Sequence, residues 1–515
     1  MATIFASVMH LADVPRDVSL FELGGSSLDA ARVCTRLNGR FGVPVPMSQI
    51  IENPTVAGVT LHIRRILSET QSGSAEHLPG PAYPRDPISE GGDTVALDGT
   101  QASFCVAHAF DPSDTAPVCV SLWELDGPVD FDALKEALHD VAERHEALRA
   151  SYVMQRMPAR PVALVTRGSR RPALPITEVD DVHERLEEWV GRRLDRPLDI
   201  TQGEVWRYAV LRSSQISILG IAIHHVAFDG WSQGMLAHDL SEAYAARSTG
   251  RPACFPTAAP SLLAVAQEKQ RYQAHVSLGR QKEYWMGALA GIVDLELPAP
   301  NNPGDDATAV HTIGFHISAD DMVAFDRVAR VEGATRFIAL LAVYGKALRE
   351  LTGQSDIAVG VPVARRGGTA VDASLTCLIN TVCIPLRQPE SLDWNHVLNA
   401  TRRATTEAMA AQDINFLDVV RLVNPTRNGR NPIFQTMFAF HDNPPPRLSF
   451  TGCTSRYLRI PPRRAMFELV LEMFPLHDGS IQAEFGYQPE KVSAAFVGQL
   501  AAAYCRIFHN VLSDH

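Results

Sequence analysis

The sequence predicts an α/β protein placed behind a small all-α unit, and three observations predict it. Residues 3 to 67 carry only helical apolar spacing, a Ser-, Gly- and Pro-rich stretch follows, and from about residue 95 segments of strand and helix character alternate to the end. A chain of 515 residues also exceeds what a single hydrophobic core serves, which predicts two or three packing units.

Each element follows from its local pattern. Ile4, Val8, Leu11 and Leu20 flank a first short helix, Leu28 to Leu37 has helical periodicity, and Val56 to Ile66 forms a third apolar-striped segment. Ser68 to about Thr94, with Pro79, Pro81, Pro84 and Pro87 closely spaced, predicts a partly extended, semi-stiff linker. Beyond it, Phe131 to Glu143 predicts an amphipathic helix with Leu134, Leu138 and Val141 on one face and Asp130 placed to cap it. Gln215 to His225 reads as a β-branched strand and Trp231 to Arg247 as the helix after it. A second block alternates in the same way, with Phe337 to Leu351 as a helix, Ile357 to Val363 and Asn380 to Leu386 as strands, and Ala494 to Leu512 as a closing helix. No short-period repeat is visible, which excludes solenoids.

Composition narrows the function classes. Apolar residues at 46% and charged residues at 20% are ordinary for a globular protein. A net charge of −11 argues against nucleic acid as the main partner, since phosphate binding wants a basic face. The longest apolar run, Phe337 to Tyr344, is far short of a bilayer, and no basic segment precedes the apolar residues of Met1 to His10. The expectation is a cytoplasmic chain with no membrane partner. Its eight cysteines, Cys34, Cys105, Cys119, Cys254, Cys377, Cys383, Cys453 and Cys505, form no CxxC pair and no Cys/His cluster at zinc spacing, so reduced thiols and no metal are expected.

Two stretches carry chemistry. In Leu23-Gly24-Gly25-Ser26-Ser27-Leu28 the glycines allow a tight turn and place Ser27 near a helix N-terminus, where a phosphate ester meets the positive end of the dipole. A helix-capping serine is the other reading of that segment alone. In His224-His225-Val226-Ala227-Phe228-Asp229-Gly230 the motif sits at a strand-to-helix corner. Strand alternation puts Ile221, Ile223 and His225 on one side and Ala222 and His224 on the other, so one histidine enters a given cavity. Gly230 lets the backbone turn sharply, and Asp229 can brace the corner through a buried arginine or a backbone donor. Two core histidines beside a turn is the competing reading.

Together these stretches resemble the carrier-condensation unit of a non-ribosomal peptide synthetase. Phe21-x-Leu23-Gly24-Gly25-x-Ser27-Leu28 is similar to the peptidyl carrier protein, and the resemblance implies that Ser27 carries covalent 4′-phosphopantetheine. The HHxxxDG pattern followed by Trp231-Ser232 resembles condensation domains of the chloramphenicol-acetyltransferase-like superfamily. That likeness makes His225 catalytic with His224 beside it, Asp229 a structural partner and Gly230 the backbone element of the site. Arg144-His145-Glu146-Ala147-Leu148-Arg149 matches the family's RHExLR. Cys377 to Thr381 followed by Arg387 matches GxFVNT…R apart from its first and third residues, and Arg430 to Phe438 matches RNPLFQVMF closely. These matches imply supporting roles for Arg149, Arg387 and Asn380, with Arg149 or Arg387 as the arginine that pairs with Asp229. Departures fall at Thr100 to Phe104, where S-x-A-Q-x-R-L-W is usual, at Leu263-Ala264-Val265, and at Ala411 to Leu417, which lacks the family's leading histidine, proline and final glutamate.

The resemblance implies a four-helix carrier bundle over residues 1–70, a linker over 71–94, and a condensation domain of two lobes, 95–275 and 276–515, arranged in a V with His225 at their junction. The activity implied is amide formation between a donor aminoacyl or peptidyl thioester on the Ser27 arm and the α-amine of an acceptor thioester on a downstream carrier. The partners implied are the adenylation domain and next carrier of a synthetase and a phosphopantetheinyl transferase, with the chain itself monomeric. Epimerisation domains and non-catalytic recruiting domains of the same fold are the alternatives; heterocyclisation domains, which replace the histidines with aspartates, are excluded. The short linker leaves no room for an epimerisation domain, so an L-configured donor and an L-acceptor or glycine are expected.

Overall fold

A computed structural model describes residues 93–514, leaving out 98, 157–158, 169–172, 275, 301–309, 388, 391–392, 427–428, 442–444 and 462–463. Upstream it describes 1–9, 11, 13–20, 23, 30, 33–34, 36–37, 40–41, 45, 50 and 53–71, the last six without their side chains. In that upstream part the helices Ala2–Met9 and Val56–Gln71 flank a small core of Phe5, Val8, Leu20, Val33, Leu37, Val59 and Ile63. Half of the predicted helix from Leu28 to Leu37, and the linker apart from its ends, lie outside the described residues.

Two larger cores follow, each under its own sheet. The first sheet has five strands in the order Thr454–Leu458, Val118–Asp126, Ile216–His224, Trp206–Arg212, Ile176–Glu178, antiparallel except for the last pair. The helices Phe131–Arg144 and Gly230–Arg247 pack on it through Leu134, Leu138, Val141, Leu236, Leu240 and Tyr244. As predicted, Asp130 caps the first helix, its carboxylate accepting from the Asp132 and Ala133 amides. The second sheet runs Ile379–Arg387, Asp356–Ala364, Thr436–Phe440, Leu469–Pro475, Ile481–Tyr487, His311–Ile317, with Thr436–Phe440 parallel to both neighbours. Its core gathers Leu340, Tyr344, Phe325, Phe485, Tyr504 and Phe508 from the helices Arg336–Thr352, Ala319–Val331 and Ala494–Ser513 and from the sheet itself. A third, three-stranded sheet joins Thr94–Ala96, Ala159–Val165 and Ala150–Arg156.

The strand Thr454–Leu458 comes from the C-terminal half of the sequence yet pairs antiparallel with Val118–Asp126 from Thr454 opposite Asp126 to Leu458 opposite Leu122. Close packing also shapes the second sheet. A Cβ on Gly360 would fall 2.4 Å from the Phe434 ring, so the glycine is what lets that ring lie against the strand. Ile433 beside it holds φ = 74°, rare for a β-branched residue, which aims Phe434 inward. Among the described residues no helix is long and apolar enough to cross a membrane, and all eight cysteines are free thiols.

Candidate active site at the strand-to-helix corner

The strand Ile216–His224 ends at His224, and His225 opens a single 3-10 turn, His225–Ala227, before the helix Gly230–Arg247. The two histidines part there. His224 is 2% exposed, and its Nδ1 accepts from the Val226 amide at 3.0 Å, closing the turn. His225 is half-buried and lines a cavity of about 1210 Å³ together with Asp229, Gly230 and Trp231. The Phe104 ring stacks on His225 at 5.3 Å between centroids and meets His224 edge-on at 5.8 Å. The Cys377 sulfur sits 3.8 Å from His225 Nδ1.

Burial, with His225 and His108 nearby, pushes the His224 imidazole down from its ordinary value of 6.5 to about 3. Burial also holds His225 below its ordinary value, against the pull of nearby carbonyls and of Asp229. Both rings are therefore neutral at neutral pH. Because the folded pKa of His224 lies below the unfolded one, the unfolded chain takes up a proton first as pH falls. Its contribution is intact above about pH 6.5 and is lost between there and about pH 3. Urea midpoints at pH 7.5 and 5.0 should show this loss. His224→Asn, which keeps an acceptor for Val226 but does not titrate, should reduce the difference; an unchanged difference would dismiss His224 as its source.

Asp229 caps the helix, its Oδ1 accepting from the Ser232 amide at 2.9 Å and the Ser232 hydroxyl at 2.7 Å. The Leu378 amide donates to Oδ2 at 3.0 Å, and Arg366 Nη2 reaches both oxygens at 2.9 Å. Burial alone would raise this carboxyl, but Arg366 and the other donors outweigh it and hold it below the usual carboxylate range. The arginine is tied in turn to the Val371 and Ser374 carbonyls through Nη1 and to the Thr376 carbonyl through Nη2. Both partners are about 1% exposed.

The partner of Asp229 is thus Arg366, not Arg149 or Arg387. Arg149 pairs with Glu146 and donates to the Thr166 carbonyl, while Arg387 pairs with Asp356 at 3.4 Å on the outer end of its strand. Both lie in motifs, but Arg149 closes the 3-10 turn Glu146–Leu148 and Arg387 ends its strand, each with partners of its own. Arg366 follows the strand Asp356–Ala364 in the run Arg365-Arg366-Gly367-Gly368, a signal of charge and flexible backbone at a strand end that the motif matches passed over. Gly230 also differs from expectation. It is the first helical residue, and a Cβ there would meet nothing within 4 Å, so it leaves the cavity open beside His225 rather than enabling a turn.

The remaining motifs brace this corner from a distance. Arg144 Nε and His145 Nε2 meet Asp239 Oδ2 at 2.7 and 2.8 Å, holding the face of the helix that starts at Gly230. Asn380 Nδ2 donates to the Gln412 and Ile414 carbonyls, both at 2.9 Å, and its Oδ1 accepts from the Phe416 amide at 3.1 Å. Arg430 grips the buried Glu468 through Nε and Nη2 at 3.0 and 2.6 Å. Gln101, in the poorly matching opening motif, donates to the Val226 carbonyl at 2.8 Å, so that segment still supports the turn.

Ser27 and the Gly24-Gly25 turn before it lie outside the described residues. The cavity, however, suits a pantetheine arm. Its wall is mostly apolar, with Phe104, Val361, Ile379 and Met437, and is broken by neutral polar groups such as Thr381 and Gln412 and by charged ones such as Arg336, Arg459 and Glu472, so it offers both apolar surface and hydrogen-bonding groups to a chain interrupted by amides.

The class this defines is an α/β protein of two sheets, the first completed by a strand from the C-terminal half, with a neutral histidine at a corner that opens on a cavity lined from both halves. Comparison with known proteins places it. Residues 92–515 match the model of the condensation domain and residues 1–63 that of the phosphopantetheine attachment site. The chain belongs to the condensation-domain family, whose members form peptide bonds, and carries ahead of that domain a phosphopantetheine attachment segment, the kind that bears 4′-phosphopantetheine on a serine.

The chain is 29% identical over 493 residues to a dimodular nonribosomal peptide synthase of Bacillus subtilis (strain 168), covering 92% of this chain and 20% of that protein. It is 26% identical over 483 residues to malpinin synthetase of Mortierella alpina, covering 93% of this chain and 6% of that protein. The chain therefore spans no more than a fifth of these curated relatives. Among solved structures, the X-domain from teicoplanin biosynthesis superimposes with a TM-score of 0.71 at 19% identity, covering 83% of this chain and 97% of that one. The first condensation domain of the calcium-dependent antibiotic synthetase, in complex with a substrate analogue, gives 0.69 at 17% identity over 82% and 97%. These likenesses establish the fold.

Proposed function

We propose that this chain forms an amide bond between a donor aminoacyl or peptidyl thioester on a Ser27-bound pantetheine arm and the α-amine of an acceptor on a downstream carrier. The observation that carries the reading is His225: neutral, half-buried, and facing a cavity lined by both sheets. A thioester is already activated and an α-amine with a reference pKa near ~8 is partly neutral at cellular pH, so holding the two tethered reactants together supplies much of the acceleration. The amine nitrogen attacks the thioester carbon, His225 accepts its proton as the C–N bond forms, and the proton leaves with the thiol as the C–S bond breaks. Asp229 and Arg366 act through the helix start they hold. The reading includes the division into a carrier four-helix bundle (1–70), a linker (71–94) and two lobes (95–275 and 276–515) set in a V, the second lending the strand Thr454–Leu458 to the sheet of the first. It also includes a monomeric, cytoplasmic chain modified by a phosphopantetheinyl transferase and served by an adenylation domain and a next carrier.

Incubation with a promiscuous transferase and coenzyme A, followed by peptide mapping, should tag Ser27 alone; a tag on Ser26, or none, would remove the carrier assignment. Loading Ser27 with matched L- and D-aminoacyl arms and offering one acceptor should give more dipeptide from the L-donor. What supports that preference is the short 71–94 stretch, too brief for an epimerising unit between carrier and condensation domain. Equal or better use of the D-donor would overturn it, and a racemised donor without peptide would favour the epimerisation alternative.

A further inference from the structure

A buried polar group on the cavity wall takes no part in the scheme above. Gln412 is 6% exposed, lines the cavity that His225 faces, and its Nε2 meets no acceptor among the described residues. Buried amides are almost always paired in folded proteins, so a lone one beside an open cavity marks a place where something else completes it. Its backbone is held in place. Asn380 grips the Gln412 carbonyl, and the next residue, Asp413, accepts from Tyr272 Oη at 3.1 Å and from Gln281 Nε2 at 2.9 Å. The side chain thus projects from a fixed loop on the cavity wall; Nε2 is itself buried, so its NH2 meets a bound molecule by a turn of the amide about its last bond. Thr381, Met409 and Phe416 line the same cavity, and both oxygens of the adjoining Asp413 are engaged. An unpartnered amide NH2 calls for a hydrogen-bond acceptor, such as a carbonyl oxygen.

We propose that Gln412 donates a hydrogen bond to a carbonyl of an acyl-pantetheine thioester bound in the cavity and so sets how deeply the arm enters toward His225. The inference rests on the proposed condensation reading and names a binding residue for it. Two carbonyl sources share this chemistry: the arm's amides and the thioester itself. Gln412→Met removes the donor at nearly constant shape. Replacing a buried unpaired donor with an apolar group is neutral or stabilising, so the variant should melt no lower than the parent.

The full chain, loaded on its carrier, is assayed with two soluble acceptors: an aminoacyl-pantetheine thioester and an aminoacyl ethyl thioester that lacks the arm amides. With the pantetheine acceptor, Gln412→Met should raise KM about tenfold at little change in kcat, the effect of one hydrogen bond. If the ethyl thioester shows no such change, the partner is an arm amide; if it shows the same rise, the partner is the thioester carbonyl. An unchanged KM for both acceptors overturns the proposal, as does a KM rise accompanied by a lower melting temperature that Gln412→Glu, which keeps the shape, shares in full. Calorimetric titration of parent and variant with an unreactive aminoacyl-pantetheine amide reads the same contact without turnover. If the parent forms no peptide with any acceptor, the condensation reading fails, while weaker binding of the amide by the variant still supports Gln412 as the contact. Equal binding by parent and variant sinks it.

Discussion

Arg366→Ala is expected to destabilise the protein by about 3–5 kcal/mol, because it leaves the Asp229 carboxylate buried without its counter-charge. The donors that remain, Ser232 and the Leu378 amide, satisfy hydrogen bonds but bring no positive charge. The loss should be read as a lower denaturant midpoint with an unchanged slope. Arg366→Lys should fall between the two, since an ammonium supplies charge but cannot reach both carboxylate oxygens and the Val371, Ser374 and Thr376 carbonyls together. The double variant Asp229→Ala with Arg366→Ala should be less damaged than the sum of the single changes, as no lone charge is left behind. Additive losses, or an Arg366→Ala midpoint equal to the parent, would show that the pair does not hold the corner.

His225→Ala is expected to reduce peptide formation by about 10²–10⁴-fold, the range for a positioned proton-transfer group, while the melting temperature stays close to the parent's. The reason for the mild structural effect is that His225 lines the cavity, so its removal leaves no closed void. His224→Ala should show the opposite balance. It removes the acceptor of the Val226 amide in a closed interior, so stability should fall at least as much as rate. A weakly nucleophilic acceptor makes the comparison most demanding, because a reactive amine needs less help. Full activity of His225→Ala with such an acceptor would leave positioning alone as the source of catalysis.

Much of the fold was legible because local patterns decide it. The amphipathic stripe of Phe131 to Glu143 and its Asp130 cap, the strand into His224 and the closing helix all lie within a residue or two of where the pattern puts them. The parting of the two histidines was legible as well, though its cause is different: His225 leaves the strand into a 3-10 turn instead of alternating along it. What could not be read were contacts between distant segments. Arg366 meets Asp229 across 137 positions, and Phe104 reaches His225 from a motif that had largely lost its expected letters. Neither partner is marked by local periodicity; each is chosen by how the sheets dock. The origin of the strand Thr454–Leu458 was hidden for the same reason, since a five-residue run says nothing about which edge it will join.

That borrowed strand sets a timetable for synthesis. Arg456 pairs with Glu124 across 332 positions of sequence. A ribosome adding about 5–20 residues per second reaches the borrowed strand roughly 15–70 s after the edge it must cover. During that interval Val118–Asp126 offers unpaired amides and carbonyls to any passing chain. Slowing translation downstream of Asp126 should therefore raise the fraction of newly made protein that pellets, and supplying the missing edge in trans, as a peptide spanning residues 447–460, should lower it.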